Sequence, residues 1–135
     1  MEHVLQARVY YEDTDAGGVV YHGKYLGFCD RARSELLMEN GFDFFERHRN
    51  GEFVVVVEAN LKFKKPARLG DMIEIRTTCG GLRKARATAH QRIYRGDELL
   101  VEAVITVACL GSNGKPRKLP GEFAAVMEKY MDEGP

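Results

Sequence analysis

The chain has 135 residues, 44% of them hydrophobic and 30% charged, with twenty basic side chains against twenty acidic ones. That size suits one domain, 1–135, rather than two, and the neutral balance argues against a dedicated nucleic-acid binder, which carries a basic excess. Cys29, Cys79 and Cys109 form no CxxC pair, the amino terminus has no basic-then-apolar signal pattern, and no run nears the roughly 18 apolar residues of a membrane span; the expectation is a soluble, unexported, cytoplasmic protein with no disulfide framework, zinc site or transmembrane segment.

From Val4 to Tyr11 the odd positions Leu5, Ala7, Val9 and Tyr11 alternate with Gln6, Arg8 and Tyr10, the period-two pattern of a half-buried strand. The loop Glu12-Asp13-Thr14-Asp15-Ala16-Gly17-Gly18-Val19-Val20-Tyr21-His22 follows. Beyond it Tyr25, Phe28, Cys29, Ala32 and Leu36 recur at helical spacing, flanked by Leu26 and Leu37, with Lys24, Arg31 and Ser34 on the far side. Asn40-Gly41 is the expected helix stop, and Phe42 to His48 adds a short helical turn. The rest reads as strand. Phe53 to Lys65 carries Val54-Val55-Val56-Val57 and ends at Pro66; Met72 to Cys79 is expected to turn through Gly80-Gly81 into Lys84 to Tyr94; Arg95-Gly96-Asp97-Glu98 turns into Leu99 to Leu110. After the loop Gly111 to Pro116, a helix of about ten residues from Gly121 places Phe123, Val126, Met127 and Tyr130 on one side. One helix on one sheet leaves a sheet face to be covered, which a second copy of the chain would do.

An acid-rich loop after a strand is ordinarily a solvated turn. Here Gly17-Gly18 permits positive φ or close approach of a ligand, and the following helix opens with unpaired N–H groups and a positive dipole end. None of Val20, Tyr21, His22 and Gly23 is a Ser, Thr, Asp or Asn cap, so those donors are open to an incoming oxygen. A carboxylate facing such donors suits acyl transfer, because the donors stabilise charge on a carbonyl oxygen while the carboxylate attacks it or activates water. Asp15 is the first candidate. Asp13 and Glu12 read as turn-forming or field residues, although clustered acids raise one another's pKa and so favour a general base. His22 offers its backbone N–H or its side chain; Tyr11, Tyr21 and Tyr25 bracket the loop, either packing at the sheet edge or touching substrate.

Other motifs carry less. Asp13-Thr14-Asp15 resembles a magnesium-binding DxD of phosphotransferases, but no βαβ alternation or phosphate loop accompanies it. Cys29 sits on the apolar stripe, where an inert thiol is expected. Arg95-Gly96-Asp97 reads as a hairpin rather than an adhesion tripeptide. Lys62, Lys64, Lys65 and Arg68, and then Arg83, Lys84 and Arg86, are mostly solvated positions, and either cluster is a candidate for the phosphates of a nucleotide-bearing ligand.

Tyr10 through His22, with Tyr25-Leu26 and Asp30-Arg31-Ala32-Arg33, resembles the signature of the hot-dog-fold acyl-CoA thioesterases, most closely the YbgC type associated with the Tol-Pal system and more distantly 4-hydroxybenzoyl-CoA thioesterase. Pro66-Ala67-Arg68-Leu69-Gly70-Asp71 resembles that family's inter-strand turn, and Asp30 stands where relatives often carry Glu. The resemblance implies an α+β hot-dog fold, a long central helix wrapped by a five-stranded antiparallel sheet, with active sites at the interface of a homodimer or homotetramer. It assigns the catalytic aspartate to Asp15 and the carbonyl donor to His22, with Tyr11 in the site; Gly18, Val19, Tyr21, Tyr25, Arg68, Arg83 and Lys84 are the expected substrate contacts. It implies no cofactor, coenzyme A being part of the substrate, and acyl carrier protein as a further partner. Asp15 as nucleophile and Asp15 as general base both remain open. A noncatalytic acyl-CoA or acyl-carrier-protein module and a hot-dog hydratase are the competing readings.

Overall fold

The computed structural model describes residues 1–132, so the last three residues of the expected domain lie outside it. Five strands form one antiparallel sheet: β1 (His3–Arg8), β2 (Phe53–Phe63), β3 (Met72–Leu82), β4 (Arg86–Arg95) and β5 (Glu98–Leu110) stand in the order β1-β3-β4-β5-β2. The helix α1 (Lys24–Glu39) lies against one face, α2 (Phe44–Arg49) follows it, and α3 (Gly121–Lys129) packs near β3. This is the α+β arrangement expected, with the long helix held in the curl of the sheet.

The core forms where the two periodicities meet. Tyr25, Phe28, Cys29, Ala32, Leu36 and Leu37 of α1 are buried against Ile73, Ile75, Ile93 and Ile105 of the sheet, while Leu26 is exposed. Register fixes this match: Ile75 faces Ile93, and Thr77 faces Gln91 across β3 and β4, so a slip of one residue would turn the whole apolar set outward. Burial pushes the Cys29 thiol up to about 11, which makes it an inert core group. Ser34 departs from its expected place on the solvent side: it lines a cavity beside Arg33.

The end of β1 and the β3–β4 turn differ from the sequence reading. β1 stops at Arg8 because the Asp13 carboxylate accepts the Tyr10 N–H at 2.9 Å and bends Tyr11–Asp13 into a 3-10 turn, a side chain outcompeting the ladder. Gly80-Gly81 is not the hairpin turn. β3 runs on to Leu82 through a bulge between Cys79 and Gly81, and the chain reverses at Arg83 to Arg86, closed by Arg83 N–H to Arg86 O at 2.8 Å. The glycine at 80 makes room for a ring, since a Cβ there would lie 2.4 Å from His90 Nε2. His90 in turn holds Asp132 at 2.7 Å, fastening the C-terminal segment to the bulge.

The turn between β2 and β3, which backs the acidic loop, is held by charge. Arg95 donates to Asp71 at 2.7 Å, to the Pro66 carbonyl at 3.2 Å and to Glu98, whose other oxygen takes Lys65 at 2.9 Å. Partial burial alone would raise the Asp71 carboxyl, but the bonds from Arg95 and from the Arg68 N–H outweigh it and hold the group below its ordinary value. Lys65 and Arg95 pull Glu98 from 4.5 down to about 2. Both carboxyls therefore bind a proton less readily in the folded chain, so their stabilisation is present above the unfolded values and lost as pH falls through the folded ones. Urea midpoints should drop as pH is lowered from 4.5 towards about 2, and Arg95→Met should flatten that dependence.

Candidate active site

The acidic loop is a small hairpin clipped to the β2–β3 turn. Thr14 pairs with Val20 and Val19 with Arg68. Asp15 N–H bonds Val19 O at 3.0 Å and Gly18 N–H bonds Asp15 O at 3.1 Å, closing a turn in which Gly18 has φ +76°, a conformation that favours glycine. Val20 N–H reaches Ala67 O at 2.9 Å and Leu69 N–H reaches Gly18 O at 3.1 Å, so the turn carrying Arg68 braces the loop from behind.

The acids separate as their surroundings dictate. Asp13 is 8% exposed, takes the Tyr10 N–H and stands 3.8 Å from Lys24 Nζ; its backbone carbonyl accepts the Tyr21 N–H at 2.9 Å. It builds the loop. Glu12 is exposed. Asp15 is exposed with one oxygen, Oδ1, held by the Gly17 N–H at 2.9 Å. A Cβ on Gly17 would lie 3.3 Å from that oxygen, a tight contact that the glycine avoids. The carboxylate is thus oriented from one side and open on the other.

The loop delivers the chain straight into α1. No side chain caps this helix at Gly23. Lys24 and Tyr25 N–H bond back to Tyr21 and His22 carbonyls at 2.8 and 3.4 Å, while among the described residues the N–H groups of His22 and Gly23 have no backbone partner. The Tyr21 and His22 rings lie 4.3 Å apart, both exposed. Loop acid and helix donors therefore sit on one continuous, accessible stretch.

The other candidates divide. Gly18, Val19 and Tyr21 belong to the loop, and Arg68 borders it through the Val19 bridge. Tyr11 is 81% exposed in the protomer. Tyr25 is a core residue: it is buried, its hydroxyl accepts the Ala67 N–H at 3.0 Å, and burial raises its pKa. Tyr25→Phe should leave a buried N–H unpaired, costing about 1–3 kcal/mol, and should loosen the Ala67 carbonyl that anchors Val20; thermal unfolding and kcat measured on one preparation would register both. Arg83 and Lys84 lie at the opposite end of β3 from Arg68. Eleven residues of strand at about 3.3 Å each span roughly 35 Å, so one protomer does not bring the two basic groups together. Arg83 lines a cleft with Arg86, Thr88 and Thr106, which Lys84 does not. Among the described residues no group of three or more His, Cys, Asp and Glu side chains is placed to hold a metal ion.

Sequence reasoning missed Arg33. It lies on α1 with its side chain 16% exposed, donating to Gln91 Oε1 at 2.9 Å. Two signals were available: its place in the Asp30-Arg31-Ala32-Arg33 stretch that carries the resemblance, and its position one residue beyond Ala32 on the apolar stripe.

With the geometry in place, comparison with known proteins decides the family. The thioesterase superfamily model matches residues 17–102. The chain is 42% identical over 120 residues to the acyl-CoA thioester hydrolase YbgC of Escherichia coli, covering 87% of this chain and 90% of that one. The chain belongs to the thioesterase superfamily. It is 37% identical to the acyl-CoA thioesterase YbgC of Haemophilus influenzae, covering 87% and 88% of the two chains. Among solved structures, a probable thioesterase from Bartonella henselae superposes with TM-score 0.84 at 39% identity, covering 89% of this chain and all of that one. The architecture is thus the hot-dog fold, and the molecule is a thioester hydrolase of the YbgC type. No helix among the described residues of this thioesterase is long and apolar enough to cross a membrane. The superfamily match begins at Gly17, two residues beyond Asp15, and does not extend to that residue.

Proposed function

We propose that this thioesterase hydrolyses acyl-CoA to the free acid and coenzyme A, with Asp15 as the reacting carboxylate and the His22 N–H as the oxyanion donor. One observation carries the reading: an exposed carboxylate, held by the Gly17 N–H at 2.9 Å, stands on the loop that feeds an uncapped helix N-terminus. The thioester carbonyl oxygen takes the His22 N–H, whose pull strengthens as negative charge develops. Asp15 either removes a proton from water as the water oxygen bonds the carbonyl carbon, or bonds that carbon itself and forms an anhydride that water opens. In both courses the C–S bond breaks with its electrons on sulfur. A thiol of ordinary acidity, near 8.5, leaves without strong protonation, so neither a metal nor a Ser-His-Asp set is required.

The active unit in this reading is a dimer. Among the described residues β2 pairs only with β5, leaving its other edge unpaired, and Val54, Val56, Val57 and Phe63 are exposed on that strand; a second copy would cover them. Pairing would also allow the Arg83, Lys84 and Arg86 end of one chain to meet the loop of the other and hold coenzyme A phosphates. Tyr11 and the His22 ring border the thioester, and the cytoplasm is the expected compartment. The decisive assay is free-thiol release from short, long and aromatic acyl-CoAs: turnover of some is expected, and release from none would sink the proposal.

A further inference from the structure

A cavity of about 520 Å³ lies away from the acidic loop, between α1, α2 and β2. Its size is that of a small-molecule site; Leu37, Phe44, Val54 and Val107 give it an apolar wall, and the charged groups that also line it include Arg49 and Arg47, the latter paired with Glu52 at 3.1 Å. Val54 and Val56 belong also to the exposed β2 strand, so the cavity is continuous with the surface on which a second copy is proposed to sit. Behind it is an inner void of about 50 Å³ among groups such as Leu36, Ala89 and Met127. Arg33 borders both spaces.

The surroundings of Arg33 leave it short of partners. Nη1 donates to Gln91 Oε1 at 2.9 Å; Nη2 is 3.5 Å from Asp30 Oδ1, on a side chain 75% exposed. Gln91 is already committed, donating to the Cys29 carbonyl and to Thr77 Oγ1, each at 3.0 Å. A guanidinium has five N–H donors and remains a cation. Burial pulls its pKa below the ordinary value, the signature of a charge held where water is scarce. A tether between helix and sheet would need only one neutral donor. A cation with unspent donors beside an inner void whose remaining lining, Thr77 apart, is apolar instead favours an occupant that brings oxygen, and penalises a methyl group that covers the charge and supplies nothing.

We infer that Arg33 is the specificity-determining residue of the acyl cavity, selecting acyl groups that carry a hydroxyl or carboxylate at the end remote from the thioester. This rests on the proposed acyl-CoA hydrolysis and on a second copy presenting its Asp15 loop at the cavity mouth. The test measures kcat/KM on the native oligomer for matched sets of four, six and eight carbons: the plain acyl-CoA, its ω-hydroxy form and its ω-carboxylate. At one length the oxygenated member should exceed the plain one by about tenfold or more, since an unmet buried donor penalises the analogue lacking the oxygen. Arg33→Met should erase that ratio while plain acyl-CoA is still turned over, and Arg33→Lys should keep part of it. Plain substrates equal or better at every length, or Arg33→Met lowering all members equally, would overturn the inference. The ratio in the unsubstituted protein decides by itself if the Met variant fails to fold. Release of thiol from no substrate would instead overturn the thioesterase reading, so the two failures are distinct.

Discussion

Asp15→Asn is expected to lower kcat for acyl-CoA hydrolysis by roughly 10²- to 10⁴-fold, the usual worth of a positioned proton-transfer group, with the fold and oligomer retained. The substitution is nearly isosteric. Its amide oxygen still accepts the Gly17 N–H that Asp15 Oδ1 accepts at 2.9 Å, so the loop keeps its shape. What disappears is the charge and the lone pair that attack carbon or take the water proton. Substrate binding should change little, because the carbonyl is held by the helix and the nucleotide by basic residues elsewhere; the loss should fall on kcat rather than KM. Single-turnover thiol release beside circular dichroism separates chemistry from folding, and activity retained by a folded Asn variant would remove Asp15 from the reaction.

Gln91→Leu should be among the most destabilising single changes, costing about 2–3 kcal/mol and lowering Tm by roughly 5–15 °C. Gln91 has no solvent exposure and joins three partners: the Arg33 guanidinium, the Cys29 carbonyl and Thr77 Oγ1. A leucine fills similar volume but leaves Arg33 without its one short acceptor and Thr77 without a donor, groups that water reaches poorly. The double variant Gln91→Leu with Arg33→Met, in which the charge is gone as well, should recover part of the loss, so a double-mutant cycle reads the coupling directly. Additive effects would show that the two side chains act separately.

Much of this molecule was legible in the sequence because its signals are local. Five alternating segments and one 3.6-residue stripe gave the elements, and Asp15 followed by two glycines and an uncapped helix start gave the loop. What was not legible depends on contacts distant along the chain. The Gly80-Gly81 pair reads as a turn, yet the space it leaves is taken by His90, ten residues on and across the sheet. Tyr25 lies near enough the loop to suggest a substrate contact, whereas its hydroxyl accepts the backbone N–H of Ala67, 42 residues away. Arg33 looks like any helical arginine until β4 places Gln91 beneath it. The order of the strands, β1-β3-β4-β5-β2, likewise comes from tertiary packing rather than from any single segment.

The bare N-terminus of α1 also sets a trade between durability and turnover. A side-chain cap at a helix start is worth about 1 kcal/mol, and this helix forgoes it at Gly23, where a Cβ would lie 2.9 Å from the Tyr21 ring. In the proposed reaction the thioester oxygen binds one residue earlier, at the His22 N–H, just ahead of that bare turn. The resting enzyme would then be slightly frayed at the point where it works, and tightened there by its own substrate. A sequence optimised for heat resistance alone would place a cap at residue 23, and its side chain would press on the Tyr21 ring beside the proposed oxyanion donor.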